Sequence, residues 1–439
     1  MALRFDHGSL YDVTKVETIS GRPLEVISTS SDLSPTLIAP GGVAHDAFGR
    51  LRVSNPFTLF DSSHRYVDNG HWTEATTAGG SSSFNADAGL LEMTVTTASG
   101  AEVLRETKRV FNYQPGKSLL SICSVNFNEA KANLRQRIGY FGAENGLYLE
   151  QEGTSEPKFV KRSSVTGSLV NTEISQSNWN VDPLDGNGPS GLTLDLAKVQ
   201  IIWFDFEWLG SGTVRCGFII NGDYIHCHSF QHANITEGTY ITTASLPMRV
   251  EITNLDTTAS SSTLKQICTT VLSEGGYEIR GTAASAKLPI NSPRDLAVVS
   301  TKYPLISLRL KSSRLDGIAI LDSLNVLGIT NNANYCWEIV QGGVTTGGSW
   351  VSADADSLVE YNITATGYSL STGEVLAAGY SVGSNQGSTV STLDRANLFE
   401  YQLERNTFTS TPFEMILIAS TDNAGADVLA SLGWQEITR

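Results

Sequence analysis

A two-residue Asn221-Gly222 step between two apolar runs most constrains how this chain can fold. Both residue types accept positive φ, so the step suits a type I′ turn, whose twist matches that of the strands it joins. Thr213 to Ile220 and Tyr224 to Phe230 therefore predict a hairpin. Upstream, Val199 to Leu209 alternates apolar and polar residues and stops at Gly210-Ser211-Gly212, which adds a third antiparallel strand. This meander predicts the middle of a β-sandwich, with the rest of the chain built onto it.

The remainder agrees with an all-β fold. Sustained i, i+3, i+4 apolar spacing is absent, and the best helical candidates are short: Glu129 to Gln136, and Ala426 to Leu432 near the C-terminus. A length of 439 residues exceeds one ordinary β domain. Three segments are expected. Residues 1–66 carry Pro23, Pro35, Pro40 and Pro56 and predict an extended arm. Its end holds Phe48, Leu51, Val53, Phe57, Leu59 and Phe60, too apolar for a free tail, so it should dock on this protein or another subunit. Residues 67–290 give about eleven short strands with frequent turns, a jelly-roll type of sandwich. After Asn291-Ser292-Pro293-Arg294 the pattern restarts, predicting a second β-sandwich over 291–439.

Charge limits the partners. Thirty basic against forty-five acidic residues give a net charge of −15, which argues against general attraction to nucleic acid or anionic lipid. Arg135 to Arg137 offers a local basic patch, but a small one. Neither a membrane span nor a secretory signal is expected. Cys123, Cys216, Cys227, Cys268 and Cys336 lack metal-type spacing and read as free thiols, with a Cys216–Cys227 bridge across the hairpin as the alternative.

Several residues invite a functional reading beside an ordinary structural one. Asp205 and Glu207 share one strand face and could work as an acid/base pair. Laminarinase-type jelly-roll glycosidases use three alternating acids, whereas Trp203 and Leu209 flank this pair, so an ordinary solvated strand face is preferred. His226, His228 and His232 invite a metal reading, since His226 and His228 point the same way from a regular strand. Their spacing matches no known ligand set, and no cofactor is expected. Asp182 and Asp185 sit in a calcium-like loop that lacks the required spacing and downstream Glu, which favours an Asx-turn loop. Trp179, Tyr148, Trp72 and Trp350 lie in or beside turns and could stack on sugar rings; with Asp182 and Asp185, the first two and Trp350 form the candidate glycan-binding set.

Two stretches carry a resemblance. GVAHDAFGRLRVSNPFTLFDSSHRY (Gly42 to Tyr66) is similar to the segment opening a group of structural proteins of tailed phages, marine and cyanobacterial ones especially. RIGYFGAENGLYLEQEG, KRSSVTG, QSNWNVDPLDGNGPSGLTLD, WLGSGTVRCGFIINGDYIHCHSFQHAN, LPMRVEI and SEGGY, between Arg137 and Tyr277, resemble the same group. The meander also looks like concanavalin A-like sandwiches. The resemblance implies a virion protein made in a bacterial cytoplasm, partnered by other virion proteins. A homo-oligomer is expected with it, a trimer favoured, and a host-surface glycan is the further candidate partner. The reading is non-enzymatic, in a tail, fibre or head-surface position. A carbohydrate-binding adhesin and a glycan depolymerase are the alternatives.

Overall fold

Alternating burial, inward apolar and outward polar, marks most of the long strands and explains why the chain forms sheets rather than helices. The computed structural model describes residues 2–4, 10–12, 25–27, 36–38, 55–370, 373–383 and 400–438. The chain divides into two units, Met1–Asn55 and Pro56–Arg439. In the first, Ala2–Arg4 pairs with Leu10–Asp12 and Glu25–Ile27 pairs with Thr36–Ile38, both antiparallel. The arm residues Phe48, Leu51 and Val53 lie outside the described residues.

The second unit contains two β-sandwiches. In the first, one sheet runs Asp223–Phe230, Val214–Ile220, Gln200–Phe206, Ser118–Asn126, Ser262–Glu274, Leu90–Val95, Ser81–Asn85, with Phe57–Ser63 also pairing with Ser262–Glu274. The facing seven-stranded sheet runs Val170–Ser175, Lys158–Ser163, Gly146–Glu152, Leu134–Phe141, Met248–Asn254, Glu102–Thr107, Trp72–Thr77. Their inner faces share one core in which Tyr140 meets Phe206 at 5.3 Å and Phe159 meets Phe204 at 5.9 Å. The predicted meander is present, and Asn221 (φ 55°) and Gly222 (φ 92°) give it the type I′ turn.

The second sandwich packs a sheet of Thr282–Lys287, Ala426–Glu436, Arg294–Leu296 and Ala319–Gly328 against a second sheet. That sheet runs Val351–Ser352, Val359–Asn362, Tyr303–Leu310, Glu414–Thr421, Asn334–Thr346, Gly367–Ser369, with Glu374–Val382 also pairing with Asn334–Thr346. Trp434, Tyr335, Leu308 and Leu417 lie in its core.

Four expectations change. Phe57, Leu59 and Phe60 belong to a strand of the first sandwich and not to an arm, because their backbone pairs with Leu272, Val271 and their neighbours. That sandwich therefore starts near Pro56 rather than Val67. The later boundary moves back from Asn291: Tyr277 packs on the first core, Ile279 on the second, and Thr282–Lys287 pairs with Ala426–Glu436. Asn291 to Pro293 is a turn inside the second sandwich, and Arg294 opens one of its strands. Neither helical candidate is a helix: Glu129 to Asn133 is coil and turn leading into the strand Leu134–Phe141, and Ala426 to Leu432 lies within the strand Ala426–Glu436. Small alanines disguised the latter; Ala426, Val428, Ala430, Leu432 and Trp434 are buried at a spacing of two.

A segment of the second sandwich welds it to the first. Arg405, 2% exposed, donates from Nη2 to Glu106 Oε1 at 2.8 Å, and its backbone N–H donates to the Lys108 carbonyl at 3.0 Å. Arg109 Nε donates to Glu404 Oε1 at 2.9 Å, and Gln402 Nε2 to the Val110 carbonyl at 2.9 Å. Removing one member of a buried, paired set leaves a charge without compensation. Arg405→Met is expected to lower the unfolding free energy by about 3–5 kcal/mol, read from the urea midpoint. The exposed Glu129→Gln should leave that midpoint in place.

Candidate functional site

The outer face of the seven-stranded sheet carries a line of alternating charge. It is built from directly opposed pairs (Glu106 and Arg249, Glu251 and Arg137, Arg137 and Glu150, Glu150 and Lys158), the i, i+2 neighbours Arg249 and Glu251 on one strand, and the diagonal neighbours Lys158 and Glu173. Glu106 Oε2 accepts from Arg249 Nη1 at 3.0 Å, and Arg249 Nε donates to Glu251 Oε1 at 2.6 Å. Glu251 Oε2 meets Arg137 Nη1 at 3.4 Å, and Arg137 Nε donates to Glu150 Oε2 at 2.5 Å. Lys158 Nζ continues the line, 3.8 Å from Glu150 and 2.8 Å from Glu173. With Arg405 at the other end, the line spans six strands and reaches into the weld. Burial pushes the Glu251 carboxyl up, but Arg249 and Arg137 outweigh it and hold the group below the usual carboxylate range. Arg137, read as part of a basic patch, is neutralised by Glu150 and Glu251.

One end of the line borders a cleft of about 720 Å3 between the two sandwiches. The first sandwich contributes Phe57 to Asp61, Asn69 to His71, Lys108 and Arg109; the second contributes Gln341, Gly342, Glu374, Leu376, Glu400, Glu404 and Phe413. The His71 imidazole sits below its usual pKa, first through burial and then through Arg109 and Lys108, with Glu404 and Glu374 opposing. Lys108 Nζ stands 5.5 Å from the centre of the Phe413 ring. Volume and mixed lining are those of a small-ligand site at a junction between lobes. The sequence held no signal for it, because its walls come from segments joined only by the fold.

The residues singled out in the sequence are not gathered here. Tyr148 is 0% exposed, lying under the guanidinium groups of Arg162 and Arg137 at 5.0 and 5.3 Å. Trp179 is 5% exposed, packs on Phe159 at 4.5 Å and donates Nε1–H to the Ile174 carbonyl. Asp182 is 3% exposed and staples its loop by accepting from the N–H groups of Leu184 and Ser190. None of the three can meet a sugar without rearrangement. Trp72 is likewise buried, with Nε1–H on Ser62 Oγ. Asp185 is exposed and forms an Asx turn onto the Asn187 N–H. Trp350 is half-buried, with the Arg309 guanidinium 4.0 Å from its ring centre. These last two lie on different sandwiches, so the glycan-binding set does not form one site.

The histidines are separated by a bulge. Cys216 pairs with His228 but Gly217 pairs with His226, so Cys227 is the extra residue. The extra residue flips the alternation: His226 shares the outer face with Trp203, whereas His228 sits with Cys216 on the inner side. His226 Nε2 bonds Ser229 Oγ at 2.9 Å, and His228 Nδ1 accepts from the Asn180 N–H at 3.3 Å. His232 holds the Gly212 carbonyl through Nδ1 at 2.7 Å and Lys161 Nζ through Nε2 at 2.9 Å. Among the described residues no cluster of three or more His, Cys, Asp or Glu is placed to hold a metal, which removes the three-histidine reading. Cys216 and Cys227 are both unbridged and buried. Asp205 is ion-paired with Arg215, and Glu207 lies beyond the end of its strand.

Burial, and then the neighbouring His226, pushes the His228 pKa from 6.5 down to about 4. The folded state therefore favours the neutral ring, and the unfolded chain binds the extra proton between these two values. Stability is expected to fall as pH drops from 6.5 to about 4, with the loss complete below that. A urea-midpoint series over this range should show a shallower slope in His228→Gln.

No family model matches the chain, and no curated protein matches it. Solved structures with a similar half include a CBM2 module of the evolved Dit of Lactobacillus casei BL23 phage J-1, with TM-score 0.34, 8% identity, 52% of this chain and 100% of that one. A β-1,3-glucanase from Mycobacterium marinum gives TM-score 0.34 and 8% identity over 49% of this chain and 98% of that one. A legume lectin-like domain from Entamoeba histolytica gives 0.29 and 11% over 50% and 97%. Scores this low carry no argument about what this chain binds or does; its all-β sandwich architecture stands on its own strand pairings.

Proposed function

We propose that the chain is a non-enzymatic structural protein of a tailed-phage particle, assembling through its N-terminal segment and presenting two β-sandwiches for host attachment. The observation that carries this reading is the ion-paired line from Glu173 to Arg405. Side chains of the types that perform acid/base chemistry are spent there on fixing strand register and joining the two sandwiches. The resemblance of Gly42 to Tyr66 and of Arg137 to Tyr277 to virion proteins supports the same reading. A depolymerase role would fall to Asp205 and Glu207, and the first of these is held by Arg215. Asp205→Asn with Glu207→Gln is therefore expected to leave any hydrolysis of host polysaccharide unchanged, as measured by reducing-end release.

Light scattering tests the assembly role, with the cut placed at Pro56 because Phe57–Ser63 is part of the first sandwich. The full chain should be a trimer or a larger ring, and residues 56–439 a folded monomer with unchanged far-ultraviolet dichroism. A monomer in both forms would remove the N-terminal segment from assembly and overturn the reading.

A further inference from the structure

The inter-sandwich cleft has an unbalanced charge inventory. Glu404 is paired with Arg109, but Asp61, Glu374 and Glu400 make no ion pair among the described residues, and all three are exposed. Lys108 is the only cation set against them that carries no carboxylate partner there, and its ammonium stands over the Phe413 ring. A second observation is independent of charge. Gln341 lines the same cleft, is 6% exposed, and has neither its amide oxygen nor its amide nitrogen hydrogen-bonded. A buried amide without partners costs about 1–3 kcal/mol, so its retention at a cleft wall points to a ligand.

The walls narrow the ligand class. The carboxylates do not converge on a point, since no group of three or more metal-ligating side chains forms among the described residues. A compact metal ion therefore lacks its cage. The cleft volume suits an organic molecule, and half-buried Leu376 and Phe413 supply apolar surface beneath the acidic rim. Lys108 on Phe413 already shows how an ammonium sits there, with the charge over the ring. Phosphate- or uronate-bearing ligands would meet like charge.

We infer that this cleft binds an organic cation, an ammonium or guanidinium group on an apolar stem, with Asp61, Glu374 and Glu400 as its counter-charges and Gln341 as a polar contact. Two sources share that chemistry: a free polyamine, and a lysine or arginine side chain of a partner protein. This goes beyond the assembly role and does not depend on it.

Isothermal titration of the full chain with spermidine, and separately with an acetyl-Arg-Leu-Arg-amide peptide, tests the inference. A saturable one-to-one isotherm is expected, with Kd raised about tenfold or more in Glu374→Gln/Glu400→Gln. Glu129→Gln/Glu144→Gln removes two exposed carboxylates that do not line the cleft and should change Kd less than about twofold. Gln341→Leu should weaken binding while raising the melting temperature, a combination that a purely structural glutamine would not give. Tighter binding of spermidine or of the peptide identifies the source. Equal weakening in both double variants would mean diffuse attraction to an acidic protein, and it would overturn the proposal. So would the absence of a saturable isotherm with either probe.

Discussion

The ion-paired line across the seven-stranded sheet is the constraint on which the rest of the structure depends. Taking Glu106, Arg249, Glu251, Arg137, Glu150 and Arg405 out of water is costly, and each is compensated only because a charge of opposite sign stands across the strand gap. A hydrophobic replacement of the whole set could equal it in stability. What the charges add is register. A one-residue slip of Met248–Asn254 against Leu134–Phe141 would turn Arg249 and Glu251 to the core face and leave Arg137 and Glu150 without their neighbours. The line therefore fixes strand pairing more strictly than apolar contacts alone would.

The same line sets the geometry of the cleft. Arg405 and Glu404 are adjacent residues; one closes the line on Glu106 and the other, paired with Arg109, forms part of the cleft wall. Glu400 is held nearby, its carbonyl accepting from Arg109 Nη2 at 3.1 Å. Acidic groups that would otherwise drift apart with their own sandwiches are thus kept facing Asp61 and the Asn69 to His71 loop. A preorganised wall lowers the ordering cost of binding, which matters most for a small, flexible ligand.

How much of this was legible depended on the range over which each signal acts. The Asn221-Gly222 turn and its strands are local, and the sequence located them to within about two residues. The second sandwich was legible as a separate run of strands. Asn291-Ser292-Pro293-Arg294 misled because breakers mark turns within domains as readily as gaps between them. The bulge at Cys227 left no mark in the alternation, so His226 and His228 were read onto one face when they occupy two. Trp179 and Tyr148 sit near turns in sequence, yet the fold covers both, one with Phe159 and the other with two arginines. The charged line was visible only as scattered acidic and basic residues, since its order exists across strands and not along them.

The weld also dictates when the molecule can become whole. Glu106 and Arg405 lie 299 positions apart, so a chain leaving the ribosome exposes its first sandwich long before the partner of Glu106 has been made. Until then Glu106 has Arg249 alone, and the edge formed by Lys108 to Val110 lacks the backbone and side-chain donors that later cap it. The first sandwich can pair its own strands early, but the junction closes only when residues 400–406 arrive. The second sandwich is not yet shaped at that point, since its central strands Glu414–Thr421 and Ala426–Glu436 follow. The junction therefore forms together with that sandwich, and a chain truncated before Gln402 would carry an open seam.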